Sequence, residues 1–228
     1  MGVIVVKRVC MILVLIGLWP LGSVRADDQL SGILDGVRHL YGQLSGLSVV
    51  YEREVVTKSM AMLGIQTKKD VASGRIYFKP PHFLRLEQAT PAPETVINNG
   101  DTLWWYIPRK KQVYRYPSQK LGREMRVLYD IFQGLRKVKD SFEVTLVAYG
   151  SKDGHELRLT PKPPWEQIEH IKLWVDPEDF HIRVVESHDY LGGLTRFTLG
   201  SPATKKTFEK NYFNFLVPEG VKVIGEGD

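Results

Sequence analysis

The sequence predicts a β-rich α+β fold in which one antiparallel sheet curls and amphipathic helices pack on it. About a dozen short segments rich in β-branched and aromatic residues recur at regular spacing, and turn residues separate them. The short connections favour antiparallel pairing over βαβ units. Two other segments have an apolar period of three to four residues, as amphipathic helices do. A sheet of this size either closes into a barrel or stays partly open with helices on its concave face.

The N-terminal residues 1–26 have the features of a signal peptide. Lys7 and Arg8 form a positive end, Val9–Leu21 is an uncharged apolar run of 13 residues, and Val24–Ala26 has a cleavage pattern. The run is shorter than the roughly 20 residues of a membrane-spanning helix. We therefore expect an exported domain over 27–228, with an uncleaved anchor as the alternative.

Removal of that segment changes the chemistry of the chain. Its only cysteine, Cys10, lies within the segment, so the remaining domain has neither disulfide nor thiol chemistry. The whole chain has 31 basic and 26 acidic residues, but Lys7, Arg8 and Arg25 lie in the segment, which leaves 28 basic groups. A net charge of +2 gives little support to a nucleic-acid-binding protein or a generally membrane-bound one.

The first element after this segment is a predicted helix over residues 28–47. Its apolar period is interrupted by four glycines, each of which weakens a helix by about 0.5–1 kcal/mol relative to alanine. Such a helix needs an apolar partner. The periodic apolar residues are Leu30, Ile33, Leu34, Val37, Leu40, Tyr41, Leu44 and Leu47.

Strands are predicted from Ser48 to Tyr116 and again from Phe142 to the end of the chain. Asn99-Gly100 between two apolar runs is the clearest hairpin signal. Between the two strand regions, residues 121–135 have a second helical period with a polar face. The predicted strands are Ser48–Val56, Ser73–Lys79, Phe83–Gln88, Thr95–Asn98, Thr102–Ile107, Gln112–Tyr116, Phe142–Tyr149, His155–Thr160, Ile168–Val175, His181–His188, Leu194–Leu199, Asn211–Val217 and Val221–Ile224.

Motifs for catalysis or cofactor binding are missing from the sequence. It has no nucleophile elbow, phosphate-binding loop or dinucleotide fingerprint, and none of its six histidines has zinc-site spacing. We interpret His155-Glu156 as a solvated pair, and the tip Arg109–Lys111 as either a solvated turn or a partner contact. An exported β-rich domain of this kind is expected to bind or carry a ligand, with no catalytic residues, metal or cofactor.

Several segments resemble one family, in the same order along the chain. Val96–Pro108 (VINNGDTLWWYIP) resembles a family hairpin in which an apolar strand is followed by DG-x-x-LW-x-Y-x-P. Gly74–Phe83 (GRIYFKPPHF) resembles its G-x-(apolar)-x-(apolar)-K-R-P-x-x-F segment, and Tyr51–Arg53 stands at a corresponding strand start. Leu157–Lys162, Ile171–Asp176 and Phe213–Val221 follow in the expected order. The chain therefore resembles the periplasmic outer-membrane lipoprotein carrier proteins, the LolA family, over essentially all of 27–228.

The resemblance implies an unclosed half β-barrel with a lid of amphipathic helices, enclosing an apolar cavity for the acyl chains of lipoproteins. It implies a monomeric periplasmic carrier that receives acylated lipoproteins from an inner-membrane ABC-transporter complex and passes them to an outer-membrane lipoprotein acceptor. The family's arginine before proline, which helps to hold the lid, is replaced here by Pro80. We therefore expect a looser lid or a different latch.

The candidate cavity residues are same-face sets on strands and the apolar faces of both helices. On the strand Thr102–Ile107, alternation leaves two possible sets, Leu103/Trp105 and Trp104/Tyr106. For each residue, plain core packing is the alternative to lipid contact. The predicted set is Leu34, Val37, Tyr51, Ile76, Phe78, Leu84, Leu86, Trp104, Tyr106, Met125, Leu128 and Phe132.

Two rival functions remain at this stage. A lipid- or lipoprotein-sensing regulatory module of similar fold would bind the same ligands, although it would usually need a second domain or a dedicated partner. A lipid hydrolase would show activity that is lost when a single serine or histidine is changed.

Overall fold

The computed structural model describes residues 22–58, 70–118, 123–205 and 207–225. Most of the predicted signal peptide and Leu121 of the second helical period lie outside these residues. Side chains are described from Ala26 onward, apart from those of residues 123 and 124. Among the helices that the structure describes, none combines the length and the apolar character needed to cross a membrane.

One sheet organises the described residues. Its thirteen strands have the order β13-β6-β5-β4-β3-β2-β1-β11-β10-β9-β8-β7, with β12 paired to β1, so the sheet does not close on itself. All pairings are antiparallel except that of β13 with β6. The strands are β1 Leu47–Val56, β2 Asp70–Lys79, β3 Phe83–Thr90, β4 Glu94–Asn98, β5 Thr102–Ile107, β6 Gln112–Pro117, β7 Phe142–Ser151, β8 Gly154–Pro161, β9 Ile168–Val175, β10 Ile182–Asp189, β11 Leu194–Leu199, β12 Ala203–Thr204 and β13 Lys222–Ile224.

Among the described residues, three α-helices accompany the sheet: α1 Gly22–Gly42, α2 Arg123–Phe132 and the short α3 Val138–Ser141, which the sequence did not predict. The first helix was predicted to reach residue 47, but it ends at Gly42. Leu47 instead begins β1 and pairs with Phe78 of β2, because a buried strand position satisfies both its side chain and its backbone. The fold class is confirmed as one unclosed, mostly antiparallel sheet with helices.

The helices pack on the concave face of the sheet and form the main core. Helix residues such as Val37 and Leu128 are fully buried against strand residues such as Ile76, Leu84 and Leu173. Antiparallel register places Val49, Ile76 and Leu86 side by side on this face. The core therefore fills the space between the sheet and the helices α1 and α2. We call these two helices the lid.

The C-terminal segment covers the opposite, convex face of strands β2 to β6. A strand was predicted over Asn211–Val217, but residues 210–213 form turns and 214–217 have no regular structure. Phe213 packs on Phe83, with ring centroids 5.5 Å apart, and Phe215 packs on Trp104 at 5.6 Å. Phe213 and Phe215 alternate as they would in a strand. Their rings cover a face of the sheet, however, and their backbone does not pair with it.

Candidate functional site

The structure brings most of the predicted cavity residues together between the lid and the sheet. Nine of them are buried in one hydrophobic cluster, and Met125 is partly buried against it. The lid and the sheet thus hide large apolar surfaces from water by pressing them together. The buried members are Leu34, Val37, Tyr51, Ile76, Phe78, Leu84, Leu86, Leu128 and Phe132.

Trp104 and Tyr106 do not belong to this cluster. Register pairs Leu84 with Asn98 and Asn98 with Leu103, so Leu103 and not Trp104 shares the face of the core. Trp104 and Tyr106 point to the convex face, where Phe215 covers both of them. Their inclusion was therefore wrong, because both faces of β5 are apolar and alternation cannot tell which one the lid covers.

An aromatic strip that the prediction omitted extends the concave face towards β6, the neighbour of the edge strand β13. Trp105 pairs with Tyr114, with ring centroids 5.4 Å apart, and Tyr116 stacks on Tyr114 at 6.3 Å with nearly parallel rings. Trp105 is 38% exposed, and its indole N–H donates to Glu94. The alternative set Leu103/Trp105 was the available sequence signal. The strip gives an apolar surface that continues beyond the buried core.

Helix α1 is fixed to the sheet by one close approach and one hydrogen bond. A Cβ at Gly36 would lie 2.7 Å or less from ring atoms of Phe180, so glycine permits this contact. The buried Tyr41 hydroxyl accepts a hydrogen bond of 3.0 Å from the backbone N–H of Ile182 at the start of β10. Burial raises the pKa of Tyr41, so this hydroxyl remains neutral.

Helix α2 is held at its C-terminal end. The Tyr129 hydroxyl donates to the carbonyl of Pro81, and the rings of Phe78 and Phe132 lie 5.8 Å apart. After the helix, Arg136 donates from Nη2 to the carbonyl of Gly42, the last residue of α1, at 3.2 Å. A cavity of about 250 Å³ lies beside this bond, and its lining includes Pro80, Phe132 and Arg136. The two helices are therefore tied to each other and to the β2–β3 turn.

A larger cavity of about 570 Å³ lies beside the N-terminal half of α1. His155, which we predicted to be solvated, is 5% exposed here, and its Nδ1 accepts from the Gly150 N–H. Burial lowers the pKa of His155, although the nearby Asp176 opposes this. The solvated interpretation was wrong because β8 turns this side chain towards the core face.

Asp176, Asp179 and His181 lie close together in the β9–β10 turn, and their ligand atoms are within 4.8 Å of one another. However, Asp176 already accepts from the backbone N–H groups of Glu178 and Asp179 and from Arg183. Burial of the carboxyl raises its pKa, but these hydrogen bonds outweigh that effect and lower the pKa to about 2. Asp176 therefore acts as a carboxylate that stabilises the turn, and the cation that it pairs with is the Arg183 side chain.

We expect Asp176→Asn to destabilise the fold in a pH-dependent way. Because the folded-state pKa lies below the ordinary value of 3.8, the stabilisation is present above that pH and is lost as the pH falls through about 2. The variant should lose on the order of 1–2 kcal/mol at pH 7. Urea unfolding at several pH values would measure this. The exposed Asp153→Asn is the control. If Asp176→Asn lowered the free energy of unfolding equally at pH 7 and at about pH 2.5, the account would be contradicted.

Comparison with known proteins adds to this geometry. The sequence profile of the family described as "Outer membrane lipoprotein carrier protein LolA" matches residues 62–216, more than half of the chain. The chain belongs to this family. Among curated LolA-family proteins, the outer-membrane lipoprotein carrier protein of Dechloromonas aromatica (strain RCB) is 26% identical over 210 residues, 90% of each chain. That of Azotobacter vinelandii (strain DJ / ATCC BAA-1303) is 25% identical over 203 residues, 89% of each.

A solved structure agrees on the fold of this LolA-family chain. The crystal structure of an uncharacterized conserved protein from Thermus thermophilus has a TM-score of 0.54, with 12% sequence identity. It matches 86% of this chain and 99% of that one. At this identity the likeness concerns the fold alone.

Proposed function

We propose that this chain is a periplasmic carrier, not an enzyme, that holds the acyl chains of lipoproteins between the lid and the concave face of the sheet. The observation that supports it best is the apolar interface that α1 and α2 share with β1 to β3, continued by the exposed Trp105 strip. The family's description as lipoprotein carriers supports the choice of ligand.

The free energy of moving acyl chains into such a site is large. At roughly 0.8 kcal/mol per methylene, one chain of about 16 carbons gains on the order of 12 kcal/mol when it leaves water. A carrier must also release its cargo. Release is easier when protein side chains can take the place of the lipid. In the structure the lid side chains pack on the same sheet surface that the acyl chains would use.

The route of transport follows from the same proposal. Residues 1–26 act as a signal peptide, and the domain 27–228 works in the periplasm as a monomer. It receives lipoproteins from an inner-membrane ABC-transporter complex and delivers them to an outer-membrane acceptor. The helix α1 begins at Gly22, so cleavage before Asp27 removes its first five residues and leaves the buried part, from Leu30 onward, intact.

A direct test is the release of a triacylated lipoprotein from spheroplasts by the purified protein, with its matched transporter present. Native mass spectrometry of the supernatant should show a soluble one-to-one complex. Free lipid in the protein without any release of lipoprotein would reject carriage and favour a lipid-sensing module. Heat-denatured protein is the control for leakage.

The latch of the lid gives a second test. We propose that Arg136, which binds the end of α1, does in this chain what the family's arginine before proline does, with Pro80 across the same cavity. Arg136→Ala should slow cargo release about threefold to tenfold, because it weakens the packed lid that displaces the lipid from the sheet. One hydrogen bond to a charged group stabilises by about 1.5–3 kcal/mol when buried and less when exposed. Pro80→Arg should also change release, because it places a second cation beside Arg136.

Stopped-flow release of a fluorescent lipopeptide would measure both variants. Lys137→Ala, one position further along the chain and exposed, is the matched control. Unchanged release in both variants would refute this latch.

A further inference from the structure

The two ends of the sheet differ in charge, although the chain as a whole is nearly balanced. Antiparallel pairing places residues 57–58 after β1, the loops after β3, β5, β8 and β10 and the turn before β13 at one end, which we call the basic rim. In its described loops the charged residues are Lys58, Arg109, Lys110, Lys111 and Lys162, against Glu166 and Glu219. In the described loops at the other end the charged residues are Asp101, Asp153, Asp176, Glu178 and Asp179, against Lys152 and Lys205.

The strongest basic element of this rim is the turn between β5 and β6. Arg109, Lys110 and Lys111 are all exposed there, and none of them forms an ion pair with a carboxylate of the residues that the structure describes. Pro108 begins a tight 3-10 turn, and Lys111 ends it in the left-handed conformation. The three basic side chains therefore project from a backbone of defined conformation. Their charge is therefore available to a partner.

An apolar tip lies on the same rim, between β10 and β11. Leu191 is 71% exposed and Tyr190 is 55% exposed. The Asp189 carboxylate accepts from the N–H groups of Leu191 and Gly193, both at 2.8 Å, so the tip is held in one conformation. A fixed turn that presents leucine and tyrosine to water suits the headgroup region of a membrane, where tyrosine is favoured.

We propose that the basic rim docks on an anionic phospholipid surface, with Tyr190 and Leu191 entering the headgroup region and Arg109–Lys111 contacting lipid phosphates. The β5–β6 and β10–β11 turns are six strand spacings apart, roughly 29 Å along the sheet at about 4.8 Å per strand. A broad, flat surface touches both turns at once. Separation of charge along the strands, and not the small net charge, orients the molecule. This inference goes beyond carriage and does not depend on it.

Flotation with lipid vesicles tests the proposal on the protein purified from the periplasm. It should float with phosphatidylcholine vesicles that contain about a third phosphatidylglycerol, and not with pure phosphatidylcholine. Raising the salt to about 0.5 M should release it. R109Q/K110Q/K111Q should lower the partition coefficient about tenfold or more. Y190S/L191S should lower it about tenfold.

Matched controls stand away from the rim. Val147→Ser removes a 52% exposed apolar side chain on β7, and Lys152→Gln removes a cation at the opposite end. Both should float like the natural protein. Absence of flotation with anionic vesicles would overturn the proposal, as would an unchanged partition coefficient in either rim variant. Capture by an acidic protein without vesicle binding would also overturn it.

A separate readout distinguishes docking from carriage. Binding of an apolar fluorescent probe in solution should be unchanged in both rim variants, because neither changes the lid or the concave face. Loss of flotation with intact probe binding therefore supports docking alone.

Discussion

Phe132→Ala should make the protein less stable and yet bind acylated cargo more tightly. The Phe132 ring is buried on the lid, against Phe78 of β2 and Tyr41 of α1. Its removal should lower the free energy of unfolding by about 3–5 kcal/mol. In the carrier that we propose, the lid and the acyl chains compete for the sheet, so a weaker lid leaves the sheet open to the lipid more often. The apparent affinity for a fluorescent lipopeptide should then rise about tenfold or more.

The matched variant is Phe78→Ala on the opposite side of the same contact. It should lower stability by a similar amount, about 3–5 kcal/mol, because Phe78 is equally buried. It removes sheet surface that the lipid would use, so the affinity should fall. Urea unfolding and lipopeptide titration measure the two quantities. A change of affinity in the same direction in both variants would refute competition between lid and lipid.

Gly36→Ala should detach α1 from the β9–β10 turn. The new methyl group would lie 2.7 Å or less from ring atoms of Phe180. The Phe180 ring packs against the hydrophobic core, so it can shift only by disturbing that packing. We expect a loss of about 1–3 kcal/mol, as overpacking usually causes, measured by urea unfolding. Hydrogen exchange should show faster opening of α1.

Gly32→Ala is the matched change one turn earlier in α1. A Cβ there meets no atom within 4 Å, so the substitution should stabilise the helix by about 0.5–1 kcal/mol. Equal effects of the two substitutions would show that helix propensity, and not contact with Phe180, explains the glycine.

The glycines of α1 illustrate where the sequence was misleading. Their helix-weakening effect is a local property, and it correctly indicated that α1 needs an apolar partner. The sequence did not indicate that one of them is a contact point, since Phe180 is far away in the chain. The same holds for His155, whose burial depends on how β8 faces the lid.

What the sequence determined by itself is local. Alternation placed most strands within a few residues, and the Asn99-Gly100 turn formed as predicted, with Asn99 accepting from the N–H groups of Asp101 and Thr102. The order of weak motifs indicated the family, because each motif reports on its own short segment.

Only the tertiary structure decided which surfaces meet. Alternation in β5 gives two apolar faces, and the sequence alone does not tell which of them faces the core. The lid on one face and Phe215 on the other decide this, and both are far away in the chain. The segment around Phe213 had the pattern of a strand, but its aromatic rings cover the convex face. Burial and pairing depend on residues far apart in the chain, and no local pattern contains that information.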